Sequence, residues 1–181
     1  MNARLILADP PWLERGGGKI VRGAQRHYDL LPTKAICALP VADLAATDSV
    51  LLLWVTSNFL PDGLDVCRAW GFRYVTDFAW VKDRIGLGQW RRSRHEHLLL
   101  CVRGHPTLPG KAWGDSVIEA PRTAHSAKPS AQYDLARHLC HDGPWLELFS
   151  RTPQPGWSSF GNHIDGADIA ESLRVAAGRL V

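Results

Sequence analysis

The stretch Arg4-Leu5-Ile6-Leu7-Ala8-Asp9-Pro10-Pro11-Trp12 decides how this chain is read. Arg4 to Ala8 (RLILA) reads as a short buried strand, and it runs straight into a carboxylate followed by two prolines. Proline locks φ and removes the backbone donor, so Pro10-Pro11 predicts a rigid turn whose carbonyls are left as acceptors. Working outward, Val50 to Thr56 (VLLLWVT), Phe72 to Val81, His97 to Val102 and Trp145 to Ser150 read as further strands. Thr33 to Leu39, a segment capped by Ser57 or Asn58 and stopped by Gly71, Pro129 to Cys140, and Ile169 to Leu180 read as helices. Strands alternating with helices predict an α/β fold with a mostly parallel central sheet and helices on both faces. Ligands of such sheets bind beyond the carboxyl ends of the strands, where Asp9 stands.

With 181 residues the chain has the size of one domain, taken as 1–181, and it buries one core without staples. A composition of 45% apolar and 22% charged residues excludes a disordered or fibrous chain. Val50 to Val55 falls far short of the ~20 apolar residues of a membrane span. The N-terminus MNARLILADPPW lacks the h-region of a signal peptide, so a cytoplasmic protein without a membrane partner is expected. Twenty-one Lys and Arg against 18 Asp and Glu give a mild +3, which neither requires nor excludes nucleic acid. Cys37, Cys67, Cys101 and Cys140 are too far apart for a C-x-x-C pattern, so buried free thiols and no metal are expected. Gly16-Gly17-Gly18-Lys19 is not a phosphate loop, because Ile20 stands where Ser or Thr is required. Eight Trp, several in loops, point to stacking.

A carboxylate, an acceptor carbonyl and a flat indole in succession suit a planar group bearing an NH2, such as adenine. The exocyclic amine of adenine is a poor nucleophile, because its lone pair is delocalised into the ring. Hydrogen bonds from its N–H groups to Asp9 and the Pro10 carbonyl would localise that pair while Trp12 stacks on the base. The competing reading is a proline-rich turn in which Asp9 caps a helix.

Together with His27-Tyr28, Leu53-Trp54-Val55-Thr56, Trp70-Gly71-Phe72, Trp80-Val81-Lys82, Arg94-His95-Glu96, His125-Ser126 with Lys128-Pro129, Glu147-Leu148-Phe149 with Arg151, and Pro155-Gly156-Trp157 with Gly161-Asn162, the Asp9-Pro10-Pro11-Trp12 motif resembles the adenine-N6 methyltransferases. That family includes the catalytic subunit of the mRNA N6-methyladenosine writer and small phage and bacterial DNA enzymes. The resemblance implies a Rossmann-like class I methyltransferase fold in permuted order, the acceptor-amine motif first and the S-adenosylmethionine segment, Trp145 to His163, last. It makes Asp9, Pro10, Pro11 and Trp12 catalytic and assigns Asp9, Lys128, Glu147, Phe149, Arg151, Asn162 and His163 to the cofactor. Lys128 would meet the methionine end, or else be a solvated lysine at a helix start. Arg151 and Asn162 would contact the ribose with Glu147 in support, or Glu147 would form a structural salt bridge to Arg151. Phe149 would pack beside the cofactor, and His163 stands where the eukaryotic relative has Gln. Tyr28 and Glu96 would line the acceptor pocket. Only eight residues precede Asp9, so the contribution of upstream residues that hold the cofactor's adenine in the eukaryotic relative is expected to be absent or supplied elsewhere.

Three Gly- and Pro-rich connections carry the loop charge: Arg15, Lys19, Arg22 and Arg26; Arg84, Arg91, Arg92 and Arg94 around Trp90; and Lys111 with Trp113. Basic loops interleaved with Trp suit phosphate contact plus base stacking, on solvated surface loops as the plainer alternative. The leading expectation is S-adenosylmethionine-dependent methylation of adenine N6, in DNA rather than RNA given the compactness typical of phage and bacterial relatives. Methylation of a glutamine side chain is disfavoured by Asp9, since such relatives carry Asn there. A catalytically silent nucleic-acid-binding subunit is disfavoured by the intact motif. A homodimer or a partner subunit both stay open.

Overall fold

The computed structural model describes residues 1–13, 30–86, 91–109, 114–123, 127–164 and 166–178. Within them one sheet is built from β1 Ala3–Ala8, β2 Ala45–Val55, β3 Arg73–Val81, β4 His95–Arg103, β5 Val117–Glu119, β6 Trp145–Leu148 and β7 Trp157–Phe160. The spatial order is β5-β3-β4-β2-β1-β6-β7. Parallel pairs join β1 to β2 and β6, β6 to β7, and β3 to β5. β4 runs antiparallel to both of its neighbours, β2 and β3. The largely parallel sheet is therefore as expected, with one reversed strand that apolar pattern does not reveal, because a strand covered on both faces reads alike in either direction.

Among the described residues four helices cover the sheet: α1 Thr33–Cys37, α2 Leu60–Ala69, α3 Ala131–Leu139 and α4 Ile169–Ala176. Ile6 and Ala8 of β1 join Leu51, Leu53 and Val55 of β2 beneath Ile36, Val66, Cys67, Ile169 and Leu173, so α1, α2 and α4 share one face. Leu5, Leu7, Leu52, Trp54, Leu98 and Leu100 lie on the other face under Ala136 and Leu139 of α3. Each fully buried Leu of these layers contributes roughly 1.5–3 kcal/mol, which explains the continuous apolar runs. α2 starts at Leu60 after a 3-10 turn over Ser57–Phe59, with proline in its first turn and no capping side-chain hydrogen bond, so neither Ser57 nor Asn58 caps it. A Cβ on Gly63 would stand 2.5 Å from Val55 Cγ1; glycine there lets α2 seat on β2. β5 and β7 escape sequence reading: β5 is a three-residue edge, and β7 (Trp-Ser-Ser-Phe) lacks an apolar run.

The tryptophans correct a sequence expectation. Trp12, Trp54, Trp70, Trp80 and Trp157 are buried and Trp145 half-buried. Five of these six donate their indole N–H within the protein, Trp54 to Gln132 and the others to backbone carbonyls. Large apolar area with one satisfied donor makes them core side chains. Trp90 and Trp113 lie outside the described residues, as do Tyr28, Arg15, Lys19, Arg22, Arg26, Lys111 and His125-Ser126. The four thiols are free, Cys37 half-buried and the others buried, as expected. Among the described residues no helix is long and apolar enough to cross a membrane, and none of their His, Cys, Asp and Glu form a metal-holding group.

Candidate active site

Central strands β1 and β6 end side by side, Ala8 opposite Leu148, and Asp9 leaves the sheet with its N–H donating to Leu148 O at 3.4 Å. The turn that follows is tied down: Trp12 N–H donates to Pro10 O at 2.9 Å and Leu31 N–H to Pro11 O at 2.8 Å. Both carbonyls are thus engaged, although a carbonyl keeps a second lone pair for another donor. Trp12 is 9% exposed, stacks on Phe59 at 5.5 Å between centroids, and donates its N–H to Trp54 O at 3.2 Å. Its indole braces the turn from below instead of presenting an open face for a base, because that apolar area is worth more against Phe59 than in water.

The Asp9 carboxylate meets Lys128, which precedes α3, with 2.7 Å from Nζ to each oxygen. Lys128 lies 11% exposed over the Trp54 ring and also reaches Glu96 Oε2 at 3.5 Å. Glu96, at the start of β4, accepts at its other oxygen from Lys82 just beyond β3. Four alternating charges, Lys82, Glu96, Lys128 and Asp9, thus run across the carboxyl ends of β3, β2 and β1. Burial pushes the Asp9 carboxyl above the ordinary aspartate value, with Glu96 adding to the effect and Lys128 and Arg151 opposing it. Burial works against both ions of the next pair, but is outweighed. Asp9 and Glu96 hold the Lys128 ammonium above the usual lysine range, and Lys128 and Lys82 hold Glu96 below the usual glutamate range. Lys82 was not foreseen as a site residue. Its signal was a lysine and a glutamate at the two facing ends of consecutive apolar strands.

On the opposite side of Asp9, Glu147 of β6 accepts from Tyr133 Oη at 2.8 Å and from Ser150 Oγ at 3.0 Å. Burial pushes its carboxyl up, and these hydroxyls offset only part of that. Phe149, directly after β6, has φ 63°. A bulky residue in the left-handed region is strained by about 1–3 kcal/mol, and such strain gathers at ligand sites. The end of β7 presses close: a Cβ on Gly161 would lie 2.3 Å from Ser150 O. Asn162 and His163 follow, exposed in the turn that Ile164 N–H closes onto Gly161 O at 2.8 Å. Arg151 is half-buried, near enough to act on Asp9. The structure therefore gathers Asp9, Lys128, Glu96, Glu147, Phe149 and Arg151 around two adjacent strand ends. Arg91 and Arg92 stand apart, exposed on the β3–β4 connection. Arg94 is also exposed, but its Nε donates to Lys82 O at 2.8 Å and so helps close the neck of that hairpin.

An anion and a cation held 2.7 Å apart at a strand end are the mirror image of an amino-acid end group, whose ammonium and carboxylate can exchange partners with Asp9 and Lys128. Such a pair lies beside the strained β6 end and the carboxylate-proline-proline turn, on a Rossmann-like sheet. The MT-A70 family model matches residues 3–163, from β1 through the turn after β7, and the chain belongs to that family. S-adenosylmethionine is the family's methyl donor. An MT-A70-like N(6)-adenosine-methyltransferase of Drosophila melanogaster is 30% identical over 177 residues, covering 92% of this chain and 28% of the relative. The human N(6)-adenine-specific methyltransferase METTL4 is 30% identical, covering 88% of this chain and 37% of its own. The type II methyltransferase M.MunI of Mycoplasma sp is 28% identical, covering 89% and 77%. The chain thus spans less than a third of the length of the Drosophila relative.

Proposed function

We propose that the chain transfers a methyl group from S-adenosylmethionine to the N6 amine of adenine in nucleic acid, with DNA as the acceptor, and that one domain performs the whole reaction. The observation that carries the reading is the Asp9 carboxylate, projected from the end of β1 by a doubly prolyl turn and held against Lys128 at 2.7 Å. S-adenosylmethionine supplies an electrophilic methyl on a sulfonium. Asp9 accepts a hydrogen bond from the amine, and the second lone pair of Pro10 O accepts another. This localises the nitrogen lone pair toward the methyl, and Asp9 then receives or relays the proton the nitrogen sheds. Pro10, Pro11 and the buried Trp12 keep that geometry from relaxing.

Lys128 pairs with the donor's carboxylate, while Glu147, Phe149, Arg151, Asn162 and His163 line its ribose and adenine side. Glu96 with Tyr28 borders the acceptor base, and Arg91, Arg92, Arg94 and Trp90 receive the strand. Preference for DNA is supported by the likeness to the type II methyltransferase M.MunI, 28% identical over 89% of this chain. The test is incubation with labelled S-adenosylmethionine and DNA, RNA and peptide acceptors, followed by nucleoside mass spectrometry. N6-methyldeoxyadenosine is the expected product. Label confined to RNA would reassign the acceptor, and no label in adenine at all would overturn the reading.

A further inference from the structure

Lys82 has no role in the reaction as described, yet its side chain is only 14% exposed and its position is fixed from several directions. Its N–H donates to Arg94 O and its carbonyl accepts from Arg94 Nε, both at 2.8 Å, which closes the neck of the β3–β4 hairpin. Its ammonium lies 4.7 Å from the ring centroid of Trp80, and Trp80 is itself pinned by a 2.8 Å bond from Nε1 to Ala120 O. From this fixed point it donates to one oxygen of Glu96, leaving the other oxygen to Lys128 at 3.5 Å.

We infer that Lys82 is a positioning residue of the methyl-transfer site: by engaging one oxygen of Glu96 it limits Glu96's hold on Lys128 and so leaves the Lys128 ammonium to Asp9. The distances express that division, 2.7 Å to Asp9 against 3.5 Å to Glu96. Two ammoniums balance two carboxylates along this row. Without Lys82, both Glu96 oxygens compete for Lys128, the row carries one excess negative charge, and Asp9 holds its proton more tightly. Without the Glu96 charge, Lys128 belongs to Asp9 alone and Asp9 gives up its proton more readily. Among the described residues, the groups facing Asp9 are Lys128 from the segment before α3, Glu96 from β4, Glu147 from β6 and Arg151 beyond β6. Lys82 acts on it through Glu96 and Lys128. The inference rests on the role proposed for Asp9.

The experiment compares Lys82→Met, Lys82→Arg and Glu96→Gln with the parent protein. Two readouts are taken: the pH dependence of kcat/KM, which reports groups of the free enzyme, and the titration of the Asp9 carboxyl carbon by NMR in cofactor-free protein. Lys82→Met is expected to move both the acid limb and the Asp9 titration to higher pH, with kcat/KM at neutral pH down about tenfold, the equivalent of one charged hydrogen bond. Glu96→Gln is expected to move the titration the opposite way, and Lys82→Arg to restore the parent profile. Should Lys82→Met melt without cooperativity, the Glu96→Gln titration decides alone. An Asp9 titration that stays in place, or that moves in the same direction in both variants, overturns the inference. Because the NMR titration needs no product, it separates this outcome from failure of the methyltransferase reading, which shows as absence of N6-methylated nucleoside.

Discussion

Glu96 and Glu147 flank Asp9 from two sides, one at the start of β4 and one inside β6. Both are largely buried, the first 16% exposed in its side chain and the second 8% overall. Glu96 meets two ammoniums, and its carboxyl is held below the ordinary value. Glu147 meets two hydroxyls, and burial leaves its carboxyl above it. Burial alone pushes both upward; the difference lies in whether the partner carries charge. The β4 side of the site is thus an internally neutralised ion row. The β6 side keeps a carboxylate whose donors, Tyr133 and Ser150, are neutral hydroxyls.

The largest expected effect comes from removing the group both sides share. Asp9→Ala should lower methyl transfer at least ~10²-fold, with a cooperative melt retained, because a hydrogen bond that strengthens in the transition state is lost. Single-turnover kinetics check this, and near-parent turnover would end the assignment of Asp9. Next, Lys128→Ala and Asn162→Ala should weaken S-adenosylmethionine binding by roughly 1–3 kcal/mol each, measured by calorimetry. Unchanged affinity in both would place the donor elsewhere.

The two glutamates should then separate by sign. Glu96→Gln should destabilise the fold at neutral pH by about 2 kcal/mol, since Lys82 and Lys128 each lose a charged partner. A carboxyl held low contributes stability above its unfolded value and loses it as pH falls through its folded value. The deficit of Glu96→Gln should therefore close on acidification. A carboxyl held high binds its proton more tightly in the fold, so wild-type stability declines as pH rises from the ordinary glutamate range through the raised value. Glu147→Gln should remove that decline and be more stable than wild type at neutral pH while matching it in acid. Chemical unfolding from pH 3 to pH 8 tests both, and equal signs for the two variants would dissolve the contrast. The smallest effect is expected at the rim: the Arg91→Ala/Arg92→Ala pair should flatten the salt slope of oligonucleotide binding by up to about 1.8, or about 0.9 per phosphate contact. An unaltered slope would make this connection ordinary surface.

Much of this was legible before any coordinates. β1, β2, β3, β4 and β6 and all four helices announce themselves by apolar runs, helical spacing, proline and glycine, which are local properties that each segment carries with it. The position of Asp9 after a buried strand was legible from the apolar run and the two prolines, while the role expected for it came from the family resemblance. The short edge strands β5 and β7 were not, since pairing with a neighbour and not their own pattern makes them strands. The same limit hid the Trp12 environment: an indole in a turn looks available until Phe59, 47 residues further along the chain, is placed against it.

What the sequence determined by itself is the chemistry on offer: a carboxylate after a buried strand, its rigid turn, and an inventory of lysines, glutamates and arginines. What only the tertiary structure decided is who faces whom. Lys128 reaches Asp9 across 119 positions of sequence, and Lys82 reaches Glu96 across 14. Those pairings, the reversed direction of β4 and the opposite fates of Glu96 and Glu147 arise from long-range closure of the sheet. Electrostatic interaction falls with distance in space, and distance along the chain does not report it.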